Sequence, residues 1–90
     1  MAYSNVEFIQ TCSACPEQYD IVVKVDGRTK GYIHLRYGSL TVEYNGEPIY
    51  HYQFPDEWKG CFNGQDERTY FLNKIERIIN DIDRYNYYEE

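Results

Sequence analysis

The dipeptide Asn45-Gly46, set between two segments of alternating polarity, most constrains what this chain can fold into. A two-residue hairpin needs positive φ at both positions, and Asn followed by Gly supplies it at least cost, so the chain reverses here between antiparallel strands. On one side, "LTVEY" over 40–44 sets Leu40, Val42 and Tyr44 against Thr41 and Glu43. On the other, "PIYHYQF" over 48–54 is a strand with Pro48 at its start, where a missing N–H does least harm.

The same alternation runs upstream. "YDIVVKV" over 19–25 places Tyr19, Ile21, Val23 and Val25 on one side and Asp20, Val22 and Lys24 on the other. The turn "DGR" over 26–28 leads into "GYIHLRYG". There Ile33, Leu35 and Tyr37 share one face and Tyr32, His34 and Arg36 the other, over a strand at 31–37. Gly38 and Ser39 mark the next turn, and "VEFIQT" over 6–11 reads as a further short strand. After Pro55 the period changes: Phe71, Leu72, Ile75, Ile78, Ile79 and Ile82 recur at spacings of three and four, which predicts a helix over about 66–85. The expected architecture is one α+β domain over 1–90, a three- to four-stranded antiparallel β-meander packed on one C-terminal α-helix. Ile21, Val23, Ile33, Leu35, Val42 and the isoleucine stripe form its core. Tyr32, His34, Arg36, Lys24, Thr41 and Glu43 remain on the other sheet face.

A net charge of −6 argues against general nucleic-acid binding, which depends on clustered Lys and Arg. No apolar run is long enough to span a membrane, and "MAYSNVEFIQ" lacks the charged start and apolar stretch of a secretory signal. The expectation is a cytoplasmic protein whose three cysteines are reduced thiols. Cys12 and Cys15 in C-x-x-C spacing could form one zinc knuckle with Cys61 and either His51 or His34, giving a zinc-stabilised structural module. A second knuckle is missing, and unmetallated thiols are the simpler reading. A thioredoxin-like pair would open a helix after a strand, whereas this one leads through Pro16 into a strand. No nucleophile stands beside an oriented base and no phosphate loop is present, so neither enzyme nor cofactor is expected.

Binding remains. Between residues 19 and 37, Lys24, Arg28, Lys30 and Arg36 outnumber Asp20 and Asp26 in an otherwise acidic chain. A face carrying Lys24, Tyr32, His34 and Arg36 could hold a small anionic ligand of nucleotide type, Arg forking onto phosphate and Tyr stacking on a base. The plainer account is the polar side of an amphipathic sheet. Tyr44, Tyr50, Tyr52, Trp58, Tyr70, Tyr85, Tyr87 and Tyr88 exceed what so small a core can bury, which favours a homo-oligomer or a protein partner.

The stretch "ACPEQYDIVVKVDGRTKGYIHLRYG" from Ala14 to Gly38 resembles a family of small bacterial and phage proteins with a CPEQYDV start, a GYLRLR-G strand and a C-terminal helix. Cys15, Pro16, Glu17, Gln18, Tyr19 and Asp20 correspond to that pattern, as do Gly31, Tyr32, Leu35, Arg36 and Gly38. His34 stands where arginine is usual. The resemblance implies an accessory protein of a phage or mobile element that counters host defence. On this reading Glu17, Gln18 and Tyr19 complete a ligand pocket with the four face residues. The alternative is an acidic inhibitor that docks on the basic channel of a host defence nuclease through Glu67, Glu76, Asp81, Asp83, Glu89 and Glu90.

Overall fold

The computed structural model describes residues 5–12 and 14–89, with side chains described as far as Arg84. Five strands, β1 (Val6–Cys12), β2 (Glu17–Val23), β3 (Thr29–Arg36), β4 (Ser39–Tyr44) and β5 (Glu47–Gln53), precede one helix, α1 (Gln65–Glu89). The strands pair in sequence order, each antiparallel to the last. The expected three- to four-stranded meander therefore gains a strand. Segment 6–11 joins because Val6 and Phe8 register against Val23 and Ile21, extending the apolar face and pairing an otherwise open β2 edge.

The turns follow from φ. Asn45 (φ 55°) and Gly46 (φ 80°) close the β4–β5 hairpin as the dipeptide demands. The β3–β4 turn lies one residue earlier than the glycine suggests, with Tyr37 (φ 52°) and Gly38 (φ 74°) as its central pair. A tyrosine in the left-handed region costs about 1 kcal/mol relative to glycine, so it is held there by its surroundings. Val25, expected on the apolar side, lies beyond the end of β2 in the turn and is 91% exposed.

One sheet face is the core. Tyr19, Ile21, Ile33, Leu35, Leu40, Val42 and Tyr44 bury against Phe71, Ile75 and Ile79 of α1, and Phe54 and Phe62 close one end. Full burial of Ile75 and Ile79 contributes about 2 kcal/mol each. Of the predicted stripe, Leu72 and Ile82 flank this core while Ile78 stays half-buried outside it. Asp66 and Glu67 sit in the first helical turn, where carboxylates suit the helix dipole, and Glu67 accepts a hydrogen bond from the Asn63 amide at 2.8 Å.

Candidate functional site

The seven residues predicted to bind ligand divide between two faces and two ends of the sheet. Glu17 and Tyr19 point into the core, and Gln18 points outward. Gln18 pairs with His34, His34 with Thr41, and Thr41 with His51, so these four form a row across the outer face. In the next row Asp20, Tyr32 and Glu43 are partners. Tyr32 and His34 are neighbours on one face of β3, their rings 6.0 Å apart. Lys24 is separated from Arg36 by the length of the sheet, because it follows Val23 at the end where Val22 meets Thr29. It lines a different cavity, with Asn5, Val23, Val25, Tyr44 and Asp83.

Glu17 is instead a structural anchor. Its carboxylate is 2% exposed and receives Arg68 through both Nε (2.9 Å) and Nη2 (2.8 Å), the Tyr19 hydroxyl (2.5 Å) and the Phe62 amide (2.9 Å). Burial pushes this carboxyl up, but Arg68, Tyr19 and the amide outweigh burial and hold it down to about 2. Burial and then Glu17 raise the Tyr19 phenol to about 12. The same residue fixes the 54–64 loop, since the Glu17 amide donates to the Gly60 carbonyl at 2.7 Å.

The cysteines require a correction. Cys15 and Cys61 form a disulfide, with Cα atoms 5.3 Å apart, and only Cys12 is a free thiol. The loop that runs back past Gly60 brings Cys61 beside the start of β2, a meeting 46 residues apart in sequence that spacing could not reveal. The candidate zinc set Cys12, Cys15, Cys61 and His51 does not assemble. Two of its thiols are spent, and no group of three His, Cys, Asp or Glu side chains converges on a metal position among the described residues.

The arrangement with most binding potential lies at the Arg36 end and includes residues the sequence reading placed elsewhere. Cys15, Pro16, Arg36, Tyr37, Trp58 and Gly60 line a cleft of about 330 Å3. Trp58 is 77% exposed and Tyr37 62% exposed, their rings edge to face at 6.4 Å. The Arg36 guanidinium lies 5.3 Å from the Tyr37 ring centroid, a cation–π contact. Both aromatics are positioned by backbone. The Asp56 carboxylate accepts from the Trp58 amide at 2.9 Å, the Gly38 amide donates to the Lys59 carbonyl at 2.8 Å, and the Phe54 amide donates to the Gly38 carbonyl at 2.8 Å. A Cβ on Gly38 would lie 2.5 Å from the Asp56 carbonyl oxygen, so this docking requires glycine. Behind the loop, buried Lys59 meets Glu67 at 3.0 Å and lies 5.0 Å from the Phe54 ring centroid. Trp58 on the pinned loop, Tyr37 in the β3–β4 turn and the Arg36 guanidinium at the end of β3 can together hold a planar, anionic group. No sequence signal marks Tyr37, which its positive φ places in the turn and exposed rather than on the apolar face expected with Ile33 and Leu35.

The acids proposed for nuclease mimicry are partly committed. Glu67 is paired with Lys59, and Asp83 accepts from the Tyr44 hydroxyl at 3.0 Å. Asp81 is exposed and Glu76 half-buried on α1. Glu90 and the side chain of Glu89 lie outside the described residues, as do the side chains of Tyr85, Tyr87 and Tyr88. Among the described residues no helix is long and apolar enough to cross a membrane. No family model, no curated protein and no solved structure matches this chain.

Proposed function

We propose that this chain is a non-enzymatic binding domain that sequesters a small anionic ligand of nucleotide type at the Arg36 end of the sheet. The observation that carries this reading is the cleft in which Arg36, Tyr37 and Trp58 meet. Arg36 supplies charged donors for a phosphate, and Trp58 supplies a face on which a base can stack for about 1–3 kcal/mol. Tyr32 and His34 continue the polar surface along β3, with Gln18 beside His34. Glu17 and Tyr19 contribute indirectly, by holding the loop that carries Trp58.

The likeness of Ala14–Gly38 to small phage proteins supports a counter-defence role in a host cytoplasm. In a cytoplasmic setting the Cys15–Cys61 bond belongs to the exchangeable class rather than the permanent one. Exposed Tyr32, Tyr52 and Tyr70, with sheet edges at β1 and β5, support self-association. The nuclease-mimic reading is weaker because Glu67 and Asp83 already have partners.

Isothermal calorimetry with a panel of mononucleotides, cyclic mononucleotides and cyclic dinucleotides tests the proposal. At least one member should bind, and Arg36→Met should weaken it by about tenfold or more, the worth of one charge-assisted contact. A folded sample that binds no member of the panel removes the reading.

A further inference from the structure

The C-x-x-C pair is only half consumed by the disulfide, and the other half stays in place as a thiol. Cys15 is exposed and Cys61 half-buried, while Cys12 is a half-buried free thiol at the end of β1. Cys12 registers against Gln18, so it lies at the same end of the sheet as Cys15, which precedes β2. Cys15 also lines the cleft that Arg36, Tyr37 and Trp58 form. An accessible disulfide, a neighbouring free thiol and a cationic side chain thus share one corner of the fold.

We propose that this corner is a thiol–disulfide exchange site for a small anionic thiol, with Cys15 the sulfur attacked and Cys12 the resolving thiol. Arg36 would draw the carboxylate of the incoming thiol into the cleft, where its sulfur meets the more exposed half of the disulfide. The incoming thiolate forms a bond to Cys15 Sγ as the Cys15–Cys61 bond breaks. The electron pair leaves on Cys61, which takes a proton from water. Cys12, its proton lost to solvent, then attacks Cys15 Sγ and expels the small thiol as a thiolate. One disulfide has moved from Cys15–Cys61 to Cys12–Cys15, with no oxidant or reductant consumed. The loop carrying Trp58 loses its covalent tie to β2 and keeps only noncovalent ones such as the Glu17–Gly60 hydrogen bond. The inference rests on the same cleft as the proposed function, and adds a chemical control over it.

The test treats the oxidised full chain with reduced glutathione, as the anionic thiol, and with 2-mercaptoethanol, as the neutral one, at equal thiolate concentration. Products are trapped by acid quench and alkylation and mapped by peptide mass spectrometry. In Cys12→Ser, glutathione should accumulate as a mixed disulfide on Cys15 with Cys61 free. With Cys12 present, the Cys12–Cys15 bond should appear instead. Arg36→Met should slow the glutathione reaction about tenfold and leave the 2-mercaptoethanol reaction unchanged, a charge effect that also weakens with added salt. Circular dichroism confirms that both variants are folded before they are compared. A mixed disulfide on Cys61, or a glutathione rate indifferent to Arg36, overturns the proposal. Calorimetry with the nucleotide panel on the same oxidised sample separates the two ideas. Nucleotide binding without exchange at Cys15 refutes this inference alone, and exchange without nucleotide binding refutes only the ligand assignment.

Discussion

Replacing Arg68 by methionine should destabilise the protein by an amount that depends on pH in a way few other substitutions would. Glu17 is 2% exposed, and Arg68 supplies two of its four hydrogen bonds. In the folded protein its carboxyl is held down to about 2, against roughly 4.3 for an unfolded glutamate. A difference of about 2.3 units at about 1.36 kcal/mol per unit is about 3 kcal/mol. Because the folded value is the lower one, this contribution is fully present above pH 5 and is lost as the pH falls from about 4 toward 2. Without Arg68, burial is left opposed only by Tyr19 and the Phe62 amide, and the stranded carboxylate moves upward instead. Urea unfolding of both proteins, disulfide intact, should therefore differ by about 3 kcal/mol at pH 7 and converge to within about 1 kcal/mol near pH 2.5. Carboxylates that touch neither Glu17 nor Arg68 are common to both proteins and cancel in the difference. Equal differences at the two pH values, or a loss under about 1 kcal/mol at pH 7, would refute the claim that ionised Glu17 depends on Arg68.

Other substitutions separate strain, packing and binding. Tyr37→Gly relieves the left-handed tyrosine and should leave unfolding free energy within about 1 kcal/mol of the parent, while calorimetry should show nucleotide affinity falling about tenfold as one ring is lost. Gly38→Ala should cost more than about 2 kcal/mol in chemical denaturation, because its Cβ would collide with the Asp56 carbonyl in a positive-φ turn. Glu57→Gln removes the acid next to Trp58 and should tighten binding of the same anion by a few-fold at low salt, an effect erased at high salt. At the alkaline end, burial and Glu17 raise Tyr19, and burial and Asp83 raise Tyr44. Both phenols stay protonated in the fold after the unfolded chain has begun to lose its protons, so stability should fall as pH rises from about 10 to about 12. Absorbance titration should show Tyr19 and Tyr44 ionising above the ordinary phenol range, and Tyr19→Phe should flatten part of that slope.

The fold was legible where local chemistry is sufficient. Asn45-Gly46, the alternation through Ile33 and Leu35, and the spacing of Phe71, Ile75 and Ile79 each specify their element without distant information. Segment 6–11 reads as a strand, but its six residues alone do not show that Val6 and Phe8 extend the sheet beside Val23 and Ile21, so the count of three to four fell short. The site was legible only in Arg36 and its neighbours on β3. Glu17 entered the ligand set only through the resemblance, and its partner Arg68, 51 residues away, leaves no local sign that the carboxylate belongs in the core. The Cys15–Cys61 pair has the same long-range origin. Trp58 gave no periodic signal, since a loop pinned by Gly38 and Asp56 presents it.

The order of the strands also bears on how the chain is made. Each strand pairs with the one before it, so the sheet can zip up hairpin by hairpin as successive segments leave the ribosome. The helix that covers its apolar face is the last of these elements to be synthesised. Until α1 arrives, Ile21, Ile33, Leu35, Leu40 and Val42 form a greasy plane exposed to the cell, with β1 and β5 as uncapped flanks. A transcript cut short before residue 65 would encode that plane without its cover, a species prone to stacking into aggregates rather than to dissolving as a smaller protein. Nascent-chain quality control therefore has its greatest demand here in the interval between Gln53 and the end of α1.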